Sequence, residues 1–282
     1  MDYSVLLIEG VRVNIVDESH ALGFRLNDYV QRMFKGWKQL GLSCPWTPAQ
    51  VLKGMVQCVQ ANLEHMKKQK SVQSMYVRPK IFHADALIKP MAGSSTRISI
   101  ECFPLGNYVS DSGVTATLAD YFRAHRYSGY ETKGAGKYVE YGMLRDSTNH
   151  TYEDVFQLGL GKGGKLIFTE GTTSNLFFVK DGELYTPGMD DFILHGMTRD
   201  SVLKMAKVLG IRTHEGEIPL SLALEAEEIF LTGTASFITP VVKLGRYTLP
   251  IGPVTKKLSE FFGRVRMGKE KQFSKWLTPF TY

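Results

Sequence analysis

Cysteine is scarce: Cys44, Cys58 and Cys102 are the only three in 282 residues. They lie far apart, are odd in number and make no CxxC pair, which argues against both a disulfide framework and a cysteine zinc site. The seven histidines form no HExxH or HxH pair, so no metal is expected. No apolar run reaches the ~18 residues of a membrane span. The start, MDYSVLLIEGVR, lacks the basic region and cleavage site of a signal peptide, and the cytoplasm is the expected location. Basic runs interleaved with aromatics are missing too. The net charge of +6 is spread along the chain, and the one short cluster, HMKKQK at 65–70, suits the solvated end of a helix. Nucleic acid is therefore not an expected partner. Internal repeats and low-complexity segments are also absent.

The composition that remains, 43% hydrophobic and 22% charged, is that of a globular chain able to bury a sizeable core. VLLIEGVRV (5–13) predicts a strand, and RLNDYVQRMFKGWKQLGL (25–42) an amphipathic helix. Thr47-Pro48 supplies an N-cap and a first-turn proline for a second helix. SMYVRPKIFHA (74–84) and TRISIECFP (96–104) predict strands. Strands and helices in this mixed order imply an α/β fold of the α+β kind. We expect a small N-terminal domain over 1–104, a polar linker LGNYVSDSG at 105–113, and a larger domain over 114–282. The latter should hold a helix at 134–146, short strands between 154 and 186, and a helix at 197–210 closed by Gly210. A strand EEIFLTG, an apolar segment at 237–244 and a final helix at 252–268 complete it.

Chemistry is concentrated in loops. GLGKGGKL (159–166) is not a phosphate loop, because leucine follows Lys165 and the run leads into a strand; it reads as a glycine turn. GMTR (196–199) opens a helix, where the Met197 and Thr198 amides lie at the positive end of the dipole. TGTA (232–235) offers a second loop with amides and hydroxyls. Either loop alone is also what a capped helix or a plain turn looks like; together with a basic side chain such as Arg32 they would form a dianion site. TKGAGKY (132–138) sets Lys133 before small residues at a helix start, where desolvation and the helix dipole would lower an amine's pKa. In TEGTTSNLFFVKDGELYTPG (169–188), the lone carboxylate Glu170 precedes a polar run that opens an apolar hairpin.

KGAGKY, EGTTSNLF, LHGMTRD, EIFLTGTASFITPV and GPVTKKL, in that order, resemble the fold-type IV pyridoxal-phosphate enzymes, and most of all branched-chain amino acid aminotransferases. The resemblance runs from about residue 3 to the C-terminus. It implies two domains with pyridoxal 5'-phosphate at their interface, and Lys133 as the Schiff-base lysine. Glu170 would face the ring nitrogen, Tyr138 the phenolic oxygen and Leu194 a ring face, with Asn175 supporting the Glu170 loop. Arg32, Met197, Thr198 and Thr234 would hold the phosphate. The strand Tyr76-Val77-Arg78-Pro79 matches the branched-chain subgroup. With Ile8, Arg12, Tyr108 and the Ala235 amide it implies a pocket for amino acid and 2-oxo acid substrates. Tyr3 matches a tyrosine that relatives lend from a neighbouring subunit, which implies a homodimer or larger assembly. Relatives begin earlier, so the small domain is expected to lack its first strand. Lys137 stands where the family often has asparagine, and Tyr29 where it has histidine. EGTTSN also occurs in D-amino acid and amine transaminases. Those activities, aminodeoxychorismate lysis and a non-catalytic cofactor-binding relative are the alternatives the same scaffold allows.

Overall fold

The computed structural model describes residues 5–68, 72–85, 95–106, 112–123, 131–189 and 193–281. The chain opens with β1 (Leu6–Ile8), β2 (Val11–Ile15), β3 (His20–Phe24), α1 (Leu26–Gln39), α2 (Pro48–Lys68), β4 (Ser74–His83) and β5 (Thr96–Leu105). It continues with β6 (Val114–Arg123), α3 (Lys137–Ser147), β7 (Asp154–Leu160), β8 (Leu166–Phe168), β9 (Asn175–Lys180), β10 (Glu183–Pro187) and α4 (Met197–Val208). Then come β11 (Thr213–Gly216), β12 (Ile218–Pro219), α5 (Leu220–Glu225), β13 (Glu228–Gly233), β14 (Phe237–Leu244), β15 (Tyr247–Thr248), α6 (Pro253–Arg266) and β16 (Leu277–Thr281). Among the described residues no helix is long and apolar enough to cross a membrane.

The chain divides into two compact units: residues 1–106, 132–136 and 263–282, and residues 107–131 and 137–262. The expected division, 1–104 and 114–282 about a linker at 105–113, is drawn by chain order, whereas these units are drawn by contact. Two later stretches return to the first unit because its sheet has open edges for them. The Lys133 carbonyl accepts the Ile8 amide at 3.0 Å, and the Ala135 amide donates to Leu6 at 2.9 Å, so this short segment runs along β1. β16 pairs antiparallel with β3, Leu277 opposite Phe24 and Thr281 opposite His20.

The first unit holds a six-stranded antiparallel sheet, ordered β1-β4-β2-β3-β16 with β5 on β4. The strand expected at 5–13 is broken at Glu9-Gly10, so β1 and β2 lie end to end along one edge of β4. β4 alternates sharply: Met75, Val77 and Ile81 are buried, whereas Tyr76, Arg78 and Lys80 are only half-buried. Such period-two alternation gives one apolar face and one face free to carry chemistry. Leu26, Tyr29, Val30, Met33 and Trp37 form the helical stripe of α1, and Val51, Met55, Val59 and Leu63 that of α2. α2 packs against β4 and β5. Its start is a reciprocal cap: the Thr47 amide donates to Gln50 Oε1 at 2.8 Å, and the Gln50 amide to Thr47 Oγ1 at 3.2 Å.

The second unit is built on a ten-stranded mixed sheet, with β6 parallel to both β7 and β14. Its core includes Phe156, Phe168, Leu176, Phe178, Ile229 and Val241. These continuous apolar runs are those of strands buried on both faces. GLGKGGKL is the turn between β7 and β8, with Gly163 and Gly164 at positive φ. α6 begins on Glu228, whose two carboxylate oxygens accept the Val254 and Thr255 amides at 3.0 and 2.7 Å. A buried carboxylate there satisfies two of the donors that a helix start leaves over, and matches the sign of the dipole.

Candidate active site

In the first unit, cross-strand register gathers the expected substrate residues on one sheet face. Arg12 lies opposite Tyr76, Ile8 opposite Lys80, and Tyr76 opposite Phe103. Tyr76 and Arg78 are two apart on β4, so paired positions point the same way. The Arg78 guanidinium sits over the rings of Tyr76 and Phe103, at 5.6 and 4.9 Å from their centroids. Gly10 makes room for this: a Cβ there would lie 1.6 Å from Tyr76 Oη. Arg12 donates Nε to Ser74 Oγ at 2.8 Å. Burial, with the like charge of Arg266 as a second cause, brings its guanidinium down to about 10.

Arg32, on α1, forms a buried two-pronged pair with Glu9: Nε donates to Oε1 at 2.8 Å and Nη2 to Oε2 at 2.5 Å. Burial pulls this guanidinium down, but the charge and hydrogen bonds of Glu9 outweigh it and hold it above its ordinary value. Lys133 is half-buried, its backbone fixed to β1 as described above. Tyr3 and Tyr108 lie outside the described residues.

In the second unit, Glu170 is buried at the entrance to β9. Its Oε2 accepts the Leu194 amide at 2.9 Å and Asn175 Nδ2 at 3.4 Å, and Asn175 Nδ2 also donates to the Leu194 carbonyl at 3.0 Å. The Lys137 ammonium lies 3.9 Å from the other oxygen, Oε1. The Gly196 Cα approaches Asn175 so closely that a Cβ would meet its Oδ1 at 1.9 Å. Gly196 is the N-cap of α4, which has no side-chain cap, followed by half-buried Met197 and buried Thr198. Glu170, Asn175, Leu194 and the GMTR turn are therefore one cluster. Thr234 and Ala235 follow β13 and are half-buried, and Tyr138, on α3, is exposed.

Sequence reasoning missed three supports. Glu9 carried a signal, an acid inside an apolar strand, which is a buried position that needs a partner. Asp154 accepts from the Thr172 amide and hydroxyl, both at 2.8 Å, and from the Ser174 hydroxyl at 3.1 Å. Nothing in its local sequence marks that role, since its partners lie some twenty residues on. Arg199, buried in α4, donates to the Pro187 carbonyl at 2.7 Å and to Glu215 at 2.8 Å, fixing the helix to β10 and β11.

Comparison with known proteins gives concordant matches. The branched-chain-amino-acid aminotransferase of Escherichia coli K12 is 28% identical over 98% of this chain and 89% of its own length. A probable branched-chain-amino-acid aminotransferase of Aquifex aeolicus is 27% identical over 98% and 88%. The crystal structure of the branched-chain aminotransferase of Thermoproteus uzoniensis with norvaline superposes with a TM-score of 0.88 at 31% identity, covering 98% of this chain and 90% of that one. The family model for class IV amino-transferases matches residues 6–244. With a match of that extent, the chain belongs to the class IV aminotransferases.

Proposed function

We infer that the protein is a cytoplasmic, pyridoxal 5'-phosphate-dependent transaminase, at least dimeric, that passes the amino group of branched-chain L-amino acids to 2-oxoglutarate. The observation that carries this reading is the buried Glu170, held by the Leu194 amide and Asn175 beside the start of α4. These residues fit the cofactor. A buried carboxylate suits a ring nitrogen that must stay protonated, and a helix start suits a phosphate. The donor class is supported by the names of the Escherichia coli and Aquifex aeolicus relatives and by the Tyr76-Arg78 face.

The bound cofactor supplies an aldehyde that captures the amino group and a ring that takes up electrons from the Cα–H bond. Lys133 provides the amine that anchors it. Its Nζ would hold and move the donor's Cα proton. Glu170 would keep the ring nitrogen positively charged. By the resemblance, Arg32, Met197, Thr198 and Thr234 would hold the phosphate, Tyr138 the phenolic oxygen and Leu194 a ring face. Tyr76, Arg78, Arg12, Ile8, Ala235, Tyr3 and Tyr108 line the substrate side. A cation laid on two aromatic rings can serve both half-reactions: the rings accept an aliphatic side chain, and the guanidinium the distal carboxylate of 2-oxoglutarate.

Lys133→Ala should abolish turnover and the near-visible absorbance of the bound cofactor. Borohydride treatment of the native protein should fix the cofactor's mass on the peptide carrying Lys133. A label on any other lysine removes Lys133 from this role. A panel of L- and D-amino acids and amines with 2-oxoglutarate tests the donor class, and preference for a D-amino acid or an amine would replace the branched-chain assignment.

A further inference from the structure

Thr232 stands one residue before the end of β13 and is buried, with 2% of its surface exposed. Among the described residues nothing accepts from or donates to its Oγ1. The alternation of the strand fixes where the side chain points. Leu231 before it and Leu176 on β9 belong to the apolar core on one face of the sheet, so Thr232 projects from the other. On that face it lies directly opposite Asn175. The next cross-strand pair along the same face is Phe177 and Phe230, stacked with centroids 4.9 Å apart, which offers no oxygen or nitrogen acceptor. Asn175 bonds Glu170 and the Leu194 carbonyl and abuts Gly196 at the start of α4. The hydroxyl is thus set between an aromatic wall and the cluster around that helix start.

We propose that Thr232 is a further binding residue of the phosphate subsite, its hydroxyl donating to a phosphate oxygen held at the start of α4. The inference rests on the functional reading above, and adds a donor to the set of Arg32, Met197, Thr198 and Thr234. A buried hydroxyl without an acceptor carries a free-energy cost that is relieved only when an acceptor arrives. A valine would fill the same space beside the aromatic pair, so packing does not call for the hydroxyl. An anion does: a donor kept dry makes a stronger hydrogen bond to a charged oxygen than an exposed one can. The hydroxyl therefore destabilises the cofactor-free protein slightly and favours the loaded one.

Thr232→Val removes the hydroxyl and keeps the shape of the side chain. In the full-length protein stripped of cofactor it should leave the melting temperature unchanged or raise it, because the lost donor had no partner. The same variant should bind pyridoxal phosphate about tenfold more weakly than the native chain. Pyridoxal, which has no phosphate, should bind both equally, and Thr232→Ser should keep native affinity for either. Thr239→Val removes another buried hydroxyl without a partner, but on the opposite face, across from Leu231, and should change neither affinity. A Thr232→Val protein that binds pyridoxal phosphate as tightly as the native chain, that loses pyridoxal to the same extent, or that melts several degrees lower in its cofactor-free form overturns the proposal. Failure of the native chain to take up pyridoxal phosphate sinks the functional reading and this inference with it, whereas uptake by the native chain with no loss in the variant strikes Thr232 alone.

Discussion

At the scale of single residues, Glu170 owes its orientation to groups that are themselves anchored. The Thr172-Thr173-Ser174 segment between Glu170 and Asn175 folds back on itself through the Gly171 amide and the Ser174 carbonyl, 2.8 Å apart. Asp154 gathers the Thr172 and Ser174 hydroxyls, so these two face a structural carboxylate. Burial pushes the Asp154 carboxyl above its ordinary value of 3.8, against the pull of its hydrogen bonds with Thr172, Val155 and Ser174. A raised folded-state pKa means a contribution present in full below the unfolded value and lost as pH rises through the folded one. The melting temperature of the native protein minus that of Asp154→Asn should therefore fall as pH is raised from the carboxylate range toward neutrality. A difference that grows with pH contradicts the assignment. Asp154→Ala removes the loop's acceptors altogether and should cost about 2–3 kcal/mol in denaturant unfolding, with faster amide exchange at Thr172.

At the scale of elements, α2 and β5 carry a contact that composition could not foretell. Cys58 and Cys102, forty-four positions apart, have their sulfurs 3.6 Å from each other, both as free thiols. Burial and the neighbouring Cys58 push the Cys102 thiol up to about 12, so Cys102 itself is a poor nucleophile toward mild disulfide reagents near neutrality. Hydrogen peroxide should still join them, taking one hydrogen from each thiol and giving two waters, because closing to the ~2.05 Å of a disulfide needs only a small shift. Intact mass should fall by about 2 Da, and a peptide linking Cys58 to Cys102 should appear and be absent from Cys58→Ser. Oxidation of Cys44 alone would contradict the geometry. Cys102 lies opposite Val77, between the partners of Tyr76 and Arg78, so this link would tie α2 to the strand paired with β4.

At the scale of the whole molecule, the chain does not complete one unit before starting the other. The last strand, β16, closes the edge of the first sheet, and Trp276 before it packs edge-on against Phe24 at 5.8 Å and lies under the Arg25 guanidinium at 4.9 Å. The Arg25 amide also donates to the Trp276 carbonyl at 2.6 Å. A chain ending at Gly268 should melt at a clearly lower temperature, with lost exchange protection concentrated in β3; protection lost equally in β9 and β13 would contradict this.

Much was legible beforehand because it depends on local order. The stripes of α1, α2 and α4, the cap at Thr47, the turn at GLGKGGKL and the β4–β5 pair follow from periodicity and turn chemistry, which need only neighbours in sequence. The sequential motifs likewise identified Glu170, Asn175 and Leu194, which the fold brings into contact. The short strands β3, β11, β12 and β16 were not legible, since each is defined by the edge it joins and not by a pattern of its own. Pairings across long separations were hidden for the same reason: Arg32 with Glu9, Asp154 with Thr172, Cys58 with Cys102, and the return of Lys133 to β1. By itself, then, the sequence determined the kinds of element, the family and the residues that can do chemistry, because those are written in local pattern and ordered motifs. Tertiary structure alone decided which charge answers which, because a buried charge must find its partner wherever the fold brings one near.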